Sequence, residues 1–192
     1  MHDLLFQHIQ RYVPLSAPEK AAVQEAFRHT RLRKKEFLLQ AGDVCRTENF
    51  VVKGCLRAYC IDQEGHEHIL QFAVEDWWIG DMRSFMREQA ADFFIEAVES
   101  CELLVIDKPG LERLFAEAPH FERFYRIIVQ NAFMALQQRV LANLSQTAEE
   151  RYREFIDRYP NIEQRVPQHQ IAAYLGMSPE FLSRIRRQLS GR

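Results

Sequence analysis

No apolar run in this sequence approaches the roughly 20 residues that a membrane span requires. Residues 1–12 interleave His, Asp, Gln and Arg with their apolar side chains, so the uninterrupted apolar centre of a secretory signal is missing as well. A cytoplasmic location is the expectation. The four cysteines, Cys45, Cys55, Cys60 and Cys101, contain no Cys-x-x-Cys pair and so lack the usual zinc and iron–sulfur spacings. Four buried thiols in a reducing compartment are the simplest reading, because free cysteine packs as a small hydrophobe. A strong net charge is also missing, since the formal balance is only −2.

That small balance hides an asymmetry. Residues 165–192 hold five arginines and one glutamate, a local +4, which leaves −6 on the rest of the chain. An acidic body with a basic tip is what a sensor joined to a DNA-reading element shows. With 47% hydrophobic and 27% charged residues, wholesale disorder is excluded, and 192 residues hold one large domain or two small ones.

Three patterns follow one another. Residues 1–30 read as two short helices around a break at Pro14, with Ser16 or Ala17 as cap of the second and Pro18 as its first residue. From Phe37 the period becomes that of short strands: 36–39, 49–52, 55–61, 68–73, 93–98 and 102–106. Asp62, Gln63, Glu64 and Gly65 form a hairpin turn between two of them. Closely spaced short strands of this kind predict a sandwich or β-roll. Pro109 opens a helical region: a short helix to Ala118, a long one over 119–144, and a third over 147–159. In the long helix Phe121, Tyr125, Ile128, Ala132, Leu136, Val140 and Leu144 recur at three- and four-residue spacing. At roughly 39 Å it is longer than a small domain needs internally, which predicts packing on a partner helix, with burial against its own roll as the alternative.

Residues 168–189 fit a helix-turn-helix. Ala172 supplies the small residue where two steeply crossing helices touch, and Gly176 tolerates the positive φ of the turn. Ile171, Leu175, Leu182 and Ile185 form the shared core, with Ser178 as N-cap and Pro179 as first residue of the second helix. That helix would lie in the major groove, where Glu180 accepts from a cytosine amino group and Arg184 meets a guanine. His169, Arg186 and Arg187 are candidate phosphate contacts, with a solvated surface as the alternative reading of the two arginines. Gln168, Gln170 and Ser183 complete the candidate interface.

The run Glu149, Glu150, Arg151, Tyr152, the run from Ile171 to Gly176 and Ser183, Arg184, Ile185, Arg186 resemble the Crp/Fnr family of bacterial regulators, in particular a short-chained subgroup common in Bacteroidetes. The resemblance spans nearly the whole chain. It implies an α+β fold: an N-terminal β-roll of cyclic-nucleotide-binding type over 1–118, a dimerisation helix over 119–145 and a helix-turn-helix domain over 146–192. It further implies a homodimer through that helix, a palindromic duplex operator, and RNA polymerase as a candidate further partner. No catalysis, metal or cofactor is expected, and the effector stays unnamed.

Three departures qualify the resemblance. Pro179 stands where an arginine often precedes the recognition glutamate. Residues 160–167 leave little room for a β-hairpin wing, so the DNA domain reads as minimal and useful only when dimerised. In cyclic-nucleotide binders Gly-Glu is followed about eleven residues later by Arg-Ser or Arg-Thr, which clamps the phosphate. Here Gly80 and Asp81 stand for Gly-Glu, but Ala91 and Asp92 occupy the clamp position, and Asp92 is expected to repel a phosphate. Cyclic AMP is therefore not the expected ligand. A replacement pocket would use Gly80, Asp81, Arg83, Phe85, Arg87 and Phe93, with Asp81, Arg83 and Arg87 at its mouth; plain core is the alternative reading of its aromatic residues.

Two readings compete. His66 and His68, two apart on one strand face, suggest a cupin-like metal roll, but no third histidine follows in the β-region, and a pair of solvent-facing histidines beside a hairpin is the simpler view. The other treats the C-terminal helices as a protein-interaction hairpin, against which the clustered arginines argue.

Overall fold

Ser16 starts a helix because its hydroxyl accepts from the Glu19 N–H at 3.4 Å, while the Glu19 carboxylate accepts the Ser16 N–H at 2.9 Å. This reciprocal cap separates α1 (Asp3–Gln10) from α2 (Ala17–Ala26) in the computed structural model, which describes residues 2–190. Gly191 and Arg192, the end of the basic tip, lie outside the described residues, as does Met1.

Eight strands follow: β1 (Arg28–Leu32), β2 (Phe37–Leu39), β3 (Thr47–Lys53), β4 (Leu56–Ile61), β5 (Glu67–Ala73), β6 (Trp78–Ile79), β7 (Phe94–Ala97) and β8 (Cys101–Asp107). They form two antiparallel four-stranded sheets, one in the order β1-β8-β3-β6 and the other β2-β7-β4-β5. The predicted β4–β5 hairpin closes over Asp62 and Gly65, with Gly65 at φ +87°. Three elements of the roll depart from the sequence reading, the two-residue β6 among them. β1 has only one apolar residue in five, so no alternation marks it; pairing along β8, from Arg28↔Val105 to Leu32↔Cys101, makes it a strand. A short helix, α3 (Met82–Arg87), follows β6 because the Asp81 carboxylate accepts the Ser84 N–H at 2.9 Å.

The helical region contains α4 (Lys108–Glu117), α5 (Pro119–Ser145), α6 (Ala148–Arg158), α7 (Ile162–Arg165), α8 (Gln168–Leu175) and α9 (Pro179–Ser190). α7 occupies the segment judged too short for a wing. Leu103, Leu104, Val105 and Ile106 of β8 are all buried, because that sheet is covered on both faces. α1, α2, α4 and the first half of α5 lie over it, with His8 against Phe50 at 5.5 Å and Phe27 against Trp78 at 6.0 Å between ring centres. A second core joins β4 and β5 to the C-terminal helices. Phe72 of β5, fully buried, stands 6.1, 6.0 and 5.7 Å from the rings of Phe155, Tyr159 and Tyr174. The roll and the C-terminal helices thus share one apolar cluster.

Candidate nucleic-acid interface

α8 stops at Gly176, whose φ of 66° and ψ of 41° lie in the left-handed region. A Cβ there would meet nothing within 4 Å, so the glycine answers to backbone conformation alone. Ser178 then caps α9, its hydroxyl accepting the Phe181 N–H at 3.2 Å, with Pro179 as the first helical residue. Ile171, Ala172, Leu175, Leu182 and Ile185 are buried together, as the spacing predicts.

This packing fixes which face of α9 remains outside. Glu180, Arg184 and Arg187 are exposed at i, i+4 and i+7, opposite buried Leu182 and Ile185. The Arg184 guanidinium lies 5.2 Å over the Phe181 ring, itself exposed. The Glu180 carboxyl is held below the usual range by its own backbone N–H and by the Ser178 hydroxyl, so it stays an acceptor. Ser183 is half-buried on the same helix, and Arg187 Nε reaches back to the Ser183 carbonyl at 3.4 Å. In the first turn of α8, His169 is exposed and Gln168 and Gln170 are half-buried. Arg186 differs from the others: it meets Glu163 at 2.9 Å, and Glu163 also accepts the Tyr152 hydroxyl at 2.8 Å. Arg186 therefore ties α9 to α7, a role the sequence did not disclose.

Two further arginines fasten this unit to the roll. Arg165 of α7 forms a fork with Glu75 at 2.8 and 3.0 Å and bonds Glu99 through Nε at 2.9 Å. Arg139 of α5 donates to the Ile69 carbonyl at 2.9 Å, to the Tyr174 carbonyl at 3.1 Å and to the Leu70 carbonyl. Nothing in the sequence pattern singles out Arg139, and the partners of Arg165 lie 66 and 90 residues away.

The six residues grouped as an effector pocket do not act together as expected. Asp81 is buried as the cap of α3 and is not at a mouth; Phe85 is core. Gly80 faces Glu48, Phe93 is half-buried against the core, and Arg87 is exposed. Asp92 is paired: Arg83 Nη2 meets it at 2.5 Å and also donates to the Ala90 carbonyl at 3.0 Å. Ser84 closes the loop, accepting the Cys45 N–H at 2.8 Å and donating to the Gln89 carbonyl at 2.5 Å.

Beyond these, α5 carries an exposed apolar stripe. Phe133 is 60% and Leu144 80% exposed, with Met134, Leu136, Val140 and Leu141 between them, so the roll covers only the start of this 27-residue helix. His66 and His68 are exposed and lean toward Asp62, at 3.7 and 2.6 Å. Cys45, Cys55 and Cys101 are buried as expected, and burial pushes the Cys55 and Cys101 thiols up to about 12 and about 11; Cys60 is only half-buried.

The model of the cyclic nucleotide-binding domain matches residues 29–118. Electron transport regulator A of Shewanella oneidensis is 25% identical over 175 residues, covering 83% of this chain and 68% of that protein. Transcriptional activator protein Anr of Pseudomonas protegens is 24% identical over 186 residues, covering 89% of this chain and 74% of that protein. Among solved structures, a protein from Eubacterium rectale described as a transcriptional regulator of the Crp/Fnr family superposes with a TM-score of 0.69 at 18% identity. That match covers 94% of this chain and 88% of the other, and it shows a shared fold.

Proposed function

We propose that this chain, a Crp/Fnr-type transcription regulator, binds a palindromic duplex operator as a homodimer and does not use cyclic AMP as its effector. The observation that carries the DNA reading is the exposed row of Glu180, Arg184 and Arg187 on a capped helix whose other face is buried. A carboxylate and a guanidinium one turn apart suit the edges of adjacent base pairs, and Arg187 suits a phosphate. The exposed stripe of α5 supports dimerisation through that helix, because isolated apolar rows of this size seek a partner. Two recognition helices about 34 Å apart then read half-sites on one face of the duplex. A role in the cytoplasm without catalysis belongs to this reading.

The rejection of cyclic AMP rests on the α3 loop. Arg83, the cation placed to replace a missing phosphate clamp, already holds Asp92, and Asp81 is consumed as a helix cap. A cyclic phosphate would have to break an ion pair and still meet a carboxylate.

The test is selection of duplexes from a random pool at two salt concentrations, with wild type beside Arg184→Ala. Enrichment of a palindrome that the variant fails to enrich supports the reading. A folded dimer whose DNA binding is negligible at both salt concentrations contradicts it.

A further inference from the structure

The C-terminal end of α5, the inner face of α6 and the end of α8 enclose a cleft of about 110 Å³. Three guanidinium groups border it, Arg139, Arg151 and Arg158, with Asn143 beside them and Glu154 as the one carboxylate. Arg139 donates to three backbone carbonyls, and one oxygen of the Glu154 carboxylate accepts from the Gln146 side-chain amide. Arg151 and Arg158 remain. They sit seven residues apart on one face of α6, about 10.5 Å along the axis, a span that two arginine side chains reach across. Arg151 Nη1 donates to the Gln146 carbonyl at 3.1 Å, but its Nε is buried and has no hydrogen-bond partner among the described residues. The Arg158 guanidinium rests 5.6 Å over the Trp77 ring, and among the described residues no carboxylate forms a salt bridge with it.

An unpartnered buried donor is costly, and a guanidinium Nε–H is satisfied best by an oxyanion. The cleft's size narrows the choice. It is well below the roughly 300 Å³ at which pockets for whole nucleotides begin, and it holds a few water volumes at about 30 Å³ each. We propose that this cleft binds a small oxyanion of the phosphate type, held between Arg151 and Arg158. Free phosphate and the terminal group of a small phosphate ester share this chemistry. A bound anion would lock α6 onto α5 and α8 and so fix the angle at which α9 is presented. That consequence rests on the DNA-reading role; the binding itself does not.

The test is calorimetric titration of the full chain with inorganic phosphate and, separately, with glycerol 3-phosphate, in chloride buffer at fixed ionic strength. The expected result is one saturable site per chain, weakened about 10-fold or more in Arg151→Gln and in Arg158→Gln, as loss of a charge-assisted hydrogen bond requires. Arg123→Gln, an exposed arginine on α5 outside the cleft, leaves binding unchanged. Binding of both probes identifies the phosphate ester group, and binding of inorganic phosphate alone identifies the free anion. Arg158 is exposed, so its variant decides the matter even where Arg151→Gln compromises folding. Absence of saturable binding, or equal binding by wild type and Arg158→Gln, overturns the proposal. Phosphate binding by a chain that fails to bind DNA would leave this site standing and sink the regulatory reading.

Discussion

The Arg139 guanidinium lies 4.1 Å above the Tyr174 ring and donates to the Tyr174 carbonyl at 3.1 Å. Through this one side chain the long helix α5 grips the helix-turn-helix, and the bonds to Ile69 and Leu70 bring β5 of the roll into the same joint. The long helix, the roll and the helix-turn-helix therefore meet at a single cation.

Arg139→Ala removes charged hydrogen bonds to three carbonyls and a stacked contact. The expected loss is on the order of 2–3 kcal/mol, because half-buried carbonyls lose a charged donor while solvent replaces part of it. For a chain of this length that lowers Tm by roughly 4–10 °C in a thermal melt. Arg139→Lys keeps the charge but not the planar fork, so it falls between the two. An unchanged melt for Arg139→Ala would show that the joint carries no stability.

Glu48 gives a pH signature. It is buried on β3 against the Gly80 backbone, with the buried Tyr125 hydroxyl nearby. Burial raises its carboxyl to about 7, nearby Asp81 adds to the rise, and Tyr125 opposes it. In the unfolded chain the group titrates near 4.5. Below that value both states hold the proton and Glu48 costs nothing. As pH rises toward 7 the unfolded state ionises first, so stability falls, by about 3 kcal/mol once both are passed. Glu48→Gln removes that dependence: it melts above wild type at pH 8, and the gap closes toward pH 4.5. A gap that does not vary with pH would mean that Glu48 titrates in the folded protein as it does in the unfolded chain.

The stripe on α5 makes a separate prediction. Phe133→Glu alters a side chain that is 60% exposed in the monomer, so its effect on folding stays within about 0.5 kcal/mol. In sedimentation the wild type runs at twice 22.7 kDa and the variant at once that mass. A monomeric wild type at micromolar concentration would remove the dimer from the account.

The parts legible in the sequence are those written in local chemistry. Ser16, Gly176, Ser178 and Pro179 each meet a backbone requirement set by their neighbours, so the caps and the turn follow from spacing. The long helix and the β4–β5 hairpin are legible for the same reason. The joints are not. Arg165 finds Glu75 and Glu99 only after the chain has folded back, and Arg186 reads as a phosphate contact until Glu163 is placed beside it. Asp92 illustrates the limit most clearly: as a lone carboxylate at a clamp position it signals repulsion, yet Arg83 neutralises it. β1 and α3 escaped because five and six residues offer too few turns or alternations for a period to show.

The most direct test of the central claim is the salt dependence of affinity for the selected duplex, measured for wild type, Arg184→Ala and Arg187→Ala. If α9 reads DNA as described, Arg187→Ala weakens binding equally on all sequences and lowers the slope of log affinity against log salt by about 1 per half-site. Arg184→Ala instead relaxes the preference at one base pair of each half-site, costing about 1–3 kcal/mol there. Wild-type affinity, slope and base preference retained in both variants would contradict the account, because the exposed row on α9 would then not be the surface that meets DNA.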